Sequence, residues 1–185
     1  MTAEPATDPA APLTIEALLA QEQRVRRHGS GLTADDLLGC WQLQRVWPKG
    51  SRREANLSGW LLRGVAARLE ITAAEADGAD TSSDPADAAS PPLRLSNAVN
   101  LGPLELRFRG PGWLQGRRPL LLFQFDHLQL SLGGRVLLQR SLPAPAPQRQ
   151  PFFALIGREP AGWLSARGRG GGLAQWRLQP ARGGP

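Results

Sequence analysis

The chain has 185 residues, a net charge of +6, 21 Gly and 17 Pro: one ordinary domain with tails, long enough to bury a real core and too rich in turn formers for an α-rich protein. Its single cysteine, Cys40, excludes an internal disulfide framework and points to a reducing, cytoplasmic compartment. Apolar runs such as Leu120–Phe123 fall far short of the roughly 20 residues a membrane-spanning helix needs.

Residues 1–12 carry Glu4 and Asp8 but no basic residue, so they read as a disordered leader and not as a secretory or transit signal. Thr14 opens a predicted helix with Ile15, Leu18, Leu19 and Val25 at helical spacing. Arg24, Arg26 and Arg27 complement its dipole and Gly29 stops it. Two placements are open: packed on the domain, across a barrel mouth, or lying on a membrane with the basic end towards anionic lipid. Thr33 with Asp36 three positions later predicts a second, short helical turn through Leu37 and Leu38.

Strand signals follow. Trp41, Leu43, Arg45 and Trp47 alternate after Gly39-Cys40. Leu57–Leu69 reads as a helical piece running into a strand. Residues 72–92 are an acidic Ala/Asp/Ser/Pro tract, expected to be a disordered insertion between strands of one domain. Then Leu93, Leu95 and Val99 alternate, with polar Asn97 on the same face. Leu104, Leu106 and Phe108 alternate against Glu105, Arg107 and Arg109, and Leu121, Phe123 and Phe125 lead to Leu128, Leu130 and Leu132. Val136–Leu142 follows Gly133-Gly134 as a hairpin partner, and a proline-rich loop precedes three short strands within Pro151–Leu178. Arg167-Gly168-Arg169-Gly170-Gly171-Gly172 turns between the last two. Short strands at this spacing predict a mainly β fold, a meander or antiparallel barrel, with one or two N-terminal helices.

Several stretches carry a resemblance. Pro151-Phe152-Phe153 and Leu164–Trp176, with Arg167, Gly168, Gly171 and Leu173, resemble the C-terminal ending of the plastid-lipid-associated protein (PAP/fibrillin) family. That family usually has acidic residues before its Arg-Gly pair, where this chain has Trp163-Leu164-Ser165-Ala166. Gly39-Cys40-Trp41 is similar to the glycine-x-tryptophan opening of lipocalins and of that family. The segments NAVNLG, LRFRG and LLFQFDHLQLSLGG look like cyanobacterial members, so the resemblance spans about Leu37 to Leu178. It implies a lipocalin-like barrel over 13–179, a tail at 180–185, and Trp41 plugging the closed end beneath a late arginine, Arg167 or Arg177. It further implies non-enzymatic binding of prenylquinones, carotenoids or lipids, in association with thylakoid membranes or lipid droplets.

Chemistry for other functions is sparse. One Cys and two distant histidines make no metal cluster, no phosphate-loop pattern exists, and no cofactor is expected. Neighbours on a strand point to opposite faces, so Asp126 and His127 are not expected to form a dyad. His127 instead continues the Leu121, Phe123, Phe125 face. The expected ligand-binding set is therefore Trp41, Leu43, Phe108, Phe123, Phe125 and His127, with Gly39, Trp41, Arg167, Gly168 and Gly171 as a structural signature. From Glu70 to Ser90 there are six acidic residues and no basic one. From Pro91 onward thirteen arginines face three acids. That basic surface leaves open peripheral contact with an anionic membrane, a docking module with a filled barrel, and RNA binding through the Arg/Gly turn; DNA is not expected.

Overall fold

The computed structural model describes residues 11–55, 68–74 and 92–180. Residues 1–10 of the expected leader at 1–12, most of Leu57–Leu69, residues 75–91 of the acidic tract at 72–92 and residues 181–185 of the tail at 180–185 lie outside the described residues. The fold is mainly β: among the described residues one α-helix, α1 (Ile15–His28), precedes ten antiparallel strands. These are β1 (Gly39–Trp47), β2 (Arg68–Ala73), β3 (Leu93–Leu101), β4 (Leu104–Gln115), β5 (Leu120–Phe123), β6 (His127–Leu132), β7 (Arg135–Ser141), β8 (Phe152–Glu159), β9 (Trp163–Gly168) and β10 (Leu173–Leu178). Thr72 and Ala73, expected within the disordered insertion, pair with Arg94 and Leu93 and so complete β2.

The sheet runs β3-β2-β1-β10-β9-β8-β5-β4, and β4 pairs back onto β3, closing an eight-strand barrel. Closure removes the unpaired edges that an open sheet of these strands would present. The long strand β4 is the exception to a simple meander. Its C-terminal part, Gly112–Gln115, pairs with β5, whereas Leu104–Arg109 pairs with β6 on the same edge. The hairpin β6–β7 thus extends the β3–β4 hairpin past the barrel wall as a four-stranded apron, with β7 at its outer edge.

Between the two halves of that edge, Phe123 to His127 takes four steps where Gly112 to Arg109 takes three. The extra residue is a bulge, and a one-residue insertion exchanges the faces of everything beyond it. Gly110 makes room for it. A β-carbon there would stand 1.8 Å from the Gln124 carbonyl oxygen and 2.9 Å from Phe125 Cα, both backbone atoms. Gly110→Ala is therefore expected to destabilise by about 1–3 kcal/mol or more, the range of overpacking. Gly170→Ala, where nothing lies within 4 Å and φ is not positive, serves as the silent control in the same denaturant titration.

The barrel interior and the outer wall hold separate cores. Inside, Trp41, Ile71, Leu95, Leu121, Leu155 and Leu164 pack together, and Leu37 of the short 3-10 turn Asp35–Leu37 and Ala34 at its N-cap join them. Asp36 Oδ2 accepts from both the amide and the hydroxyl of Thr33 at 2.9 Å, which fixes that turn. Outside, Leu18 of α1 is fully buried against Trp47, Ile156 and Leu173. Each such burial contributes roughly 1.5–3 kcal/mol. Helix α1 starts at the Thr14 cap and ends at Gly29, as the sequence predicts, but it lies on the outer wall and leaves the mouth uncovered.

Candidate functional site

The end of the barrel away from Trp41 holds a cavity of about 250 Å³. Leu43 and Val46 of β1, Leu69 of β2 and Ala174 and Trp176 of β10 form one side; Phe123, Phe125 and Phe153 form the other. The rings make a continuous chain. Phe108 meets Phe125 at 5.6 Å between centroids, Phe125 meets Phe123 at 5.2 Å, Phe123 meets Phe153 at 5.1 Å, and Phe153 meets Trp176 edge-on at 5.3 Å. Such tilted contacts are the preferred geometry of aromatic pairs and hold the rings in place.

The register extends this apolar face onto the apron. Leu104, Leu106 and Phe108 of β4 share it with Val99 and Leu101 of β3 and with Leu128, Leu130 and Leu132 of β6. Nothing described covers its far end, where Leu101 is 44% exposed, Leu132 46% and Leu138 49%. A larger groove, about 780 Å³, lies elsewhere. Its walls are mixed: Leu38, Leu178 and Pro180 alternate with Gln42, Arg68, Glu70 and Asn100, and among the described residues no aromatic ring lines it.

Among the described residues one polar side chain lines the cavity, and it is Asn97. It stands opposite Leu69 and Phe108, and its amide has no hydrogen-bond partner among the described residues. The alternation of β3 had marked Asn97 as a polar residue on an apolar face, which was the signal for it.

His127 is the corresponding correction. The bulge before β6 turns it to the outer face, opposite Arg109, and its side chain is 53% exposed. Its Nδ1 lies 2.6 Å from Asp126 Oδ1. The expectation that these neighbours could not meet assumed a regular strand, whereas Asp126 sits in the break between β5 and β6. Leu43, Phe123 and Phe125 line the cavity, and Phe108 continues the aromatic chain from it. Trp41 does not line it: it is fully buried at the closed end, donating Nε1–H to the Leu37 carbonyl at 2.7 Å.

Neither late arginine stacks on Trp41. Arg177 lies over Trp163, 5.1 Å from the ring centroid. Arg167 donates to Glu22 of α1 through Nε at 2.7 Å and Nη2 at 2.6 Å, and through Nη1 to the Gly171 carbonyl. Arg118 and Arg26 also donate to Glu22, at 3.2 and 3.1 Å. Hydrogen bonding from Arg167 holds the Glu22 carboxyl below its usual range despite burial. Within the Arg/Gly turn, Gly171 has φ +87°, which explains a glycine there; Gly168 is not at positive φ. Gly39 also needs its lack of a side chain, because at φ +131° a β-carbon would meet Leu178 Cδ1 at 2.7 Å. The turn's other arginine, Arg169, bonds the Gln148 carbonyl, so both guanidinium groups of the turn are engaged within the fold.

Among the described residues no three His, Cys, Asp or Glu gather as a metal site, and no helix is long and apolar enough to cross a membrane. No protein-family model, curated protein or solved structure matches this chain. The geometry of the mouth therefore carries the functional argument.

Proposed function

We propose that the protein is a non-enzymatic carrier or store of a lipophilic molecule, of the prenylquinone, carotenoid or lipid class, held at the mouth of a lipocalin-like barrel. The same reading takes the chain as a PAP/fibrillin-type protein of cyanobacterial kind, in the cytoplasm or peripheral on thylakoid membranes. One observation carries it: an aromatic-walled cavity with a lone amide, Asn97, opening onto an uncovered apolar face. An apolar pocket with few polar groups is the ordinary composition of a small-ligand site.

Magnitudes set the kind of ligand. Burying about five methylenes in the cavity contributes about 4 kcal/mol, equivalent to millimolar affinity. Micromolar binding needs roughly twice that, before ordering costs. The cavity alone is too small, so the tail of the ligand continues over Phe108 onto Leu106 and Leu130 of the apron. Asn97 donates to an oxygen at the head.

A quinone with a decyl tail tests this through quenching of tryptophan fluorescence. Wild type is expected to show saturable quenching, and Ala174→Phe, which fills the cavity, to abolish it while remaining folded. Asn97→Leu is expected to weaken the quinone about fivefold to tenfold, the worth of one hydrogen bond, and to leave a tail without the quinone unaffected. Absence of saturable quenching in wild type, or equal binding by Ala174→Phe, rejects the cavity. The second reading is then docking of a partner strand on β7, favoured by one observation: all of β7 is exposed, including Val136, Leu137 and Leu138.

A further inference from the structure

The opposite face of the apron is as basic as the inner face is apolar. Arg94 of β3, Arg107 and Arg109 of β4, His127 and Gln129 of β6 and Gln139 of β7 surround a depression of about 250 Å³. The register makes this grouping compulsory. Arg109 stands opposite His127, and Arg107 stands opposite Gln129, which in turn faces Gln139. All of them therefore project from one face of the sheet.

The charges there do not balance. Arg107 is neutralised by Glu105, which accepts from its Nε at 2.9 Å and its Nη2 at 3.0 Å. Arg94 and Arg109 have no carboxylate within ion-pair distance among the described residues. Of the other acids on this face, Asp126 is taken by His127, and Glu70 of β2, opposite Ser96 and acting on Arg107, is offset by Arg68 of the same strand, opposite Ala98. Like charges crowded on one sheet face repel, and a bound anion removes that penalty. We propose that Arg94, Arg109 and His127 form a binding site for a phosphate group on the outer face of the apron.

A tetrahedral oxyanion suits this donor set better than a carboxylate. Two guanidinium forks approach from adjacent strands, and Gln129 and Gln139 add neutral amide donors. Asp126 Oδ1, 2.6 Å from His127 Nδ1, holds the imidazole at the rim of the depression. The phosphate can belong to a soluble phosphate compound or to a lipid headgroup. The site is independent of the barrel cavity and stands or falls separately from it.

The test measures inorganic phosphate binding by titration calorimetry, and co-sedimentation with phosphatidylcholine vesicles made with or without phosphatidylglycerol. Arg94→Gln/Arg109→Gln is compared with Arg24→Gln/Arg27→Gln, which removes the same charge from exposed positions on α1. The site variant is expected to lose at least tenfold in whichever assay wild type binds, and the control less than twofold. His127→Asn is expected to lose part of the binding. Phosphate binding without vesicle binding assigns a soluble ligand; binding only to phosphatidylglycerol vesicles assigns a headgroup. If wild type binds in neither assay, or both double variants lose equally, the site is overturned and the effect is one of bulk charge.

Discussion

Trp41→Ala is expected to cost roughly 3–5 kcal/mol, as large aromatic truncations in a packed core do. Trp41 is fully buried among the side chains that seal the barrel. The loss has two parts. The first is the cavity left between Leu37 and the strand layer. The second is the Leu37 carbonyl, which loses the indole donor at 2.7 Å in a place where water does not replace it. Trp41→Phe separates them by retaining most of the ring volume and removing only the donor, at an expected cost of about 1–3 kcal/mol. In thermal melts the alanine variant should fall by about 10 °C. A loss below about 1 kcal/mol would mean that the closed end is not built around this residue.

The second large effect centres on Glu22, a carboxylate with 4% side-chain exposure facing three arginines. Glu22→Ala leaves Arg167 facing a buried space without its partner, and breaking a buried pair in this way costs about 3–5 kcal/mol. The lower end is expected, because Arg167 keeps 23% exposure and can be partly hydrated. Removing both partners in Glu22→Ala/Arg167→Ala should cost less than the two single changes together; strict additivity would show that the pair is not coupled. The same group sets an acid limit. Its folded pKa lies below the unfolded value near 4.5, so its stabilisation is fully present above that value and is lost as pH falls through the folded pKa. The melting temperature of wild type should therefore drop below about pH 4.5. Glu22→Gln should start lower and show a shallower drop over the same window.

Local patterns in the sequence carried the strands well. The alternations at Leu104–Phe108 and Leu128–Leu132 became parts of β4 and β6, whereas that at Leu121–Phe125 became β5 only as far as Phe123. What alternation does not encode is phase across a break. His127 was assigned to the aromatic face because one bulge residue was counted as strand, and parity reversed beyond it. Partnership over long separations was also hidden. Arg167 was legible as a signature residue, but its partner Glu22 lies 145 residues earlier. A signal for it existed, since Glu22 falls on the same helical face as Leu18 and Val25, and an acid within an apolar stripe requires a cation. Strand order was the third gap: that β4 serves two strands on one edge follows from its length and from Gly110, and neither pattern nor composition announces it.

The central claim, that a lipophile enters the mouth beside Asn97, is tested most directly by isotope-edited nuclear Overhauser contacts to a bound decyl quinone. Contacts are expected from the quinone ring to the Asn97 side-chain amide and the rings of Phe123 and Phe153, and from the tail to Phe108, Leu106 and Leu130. Saturable binding with contacts confined to the outer wall, or no contact with any of these residues at saturating ligand, would contradict it.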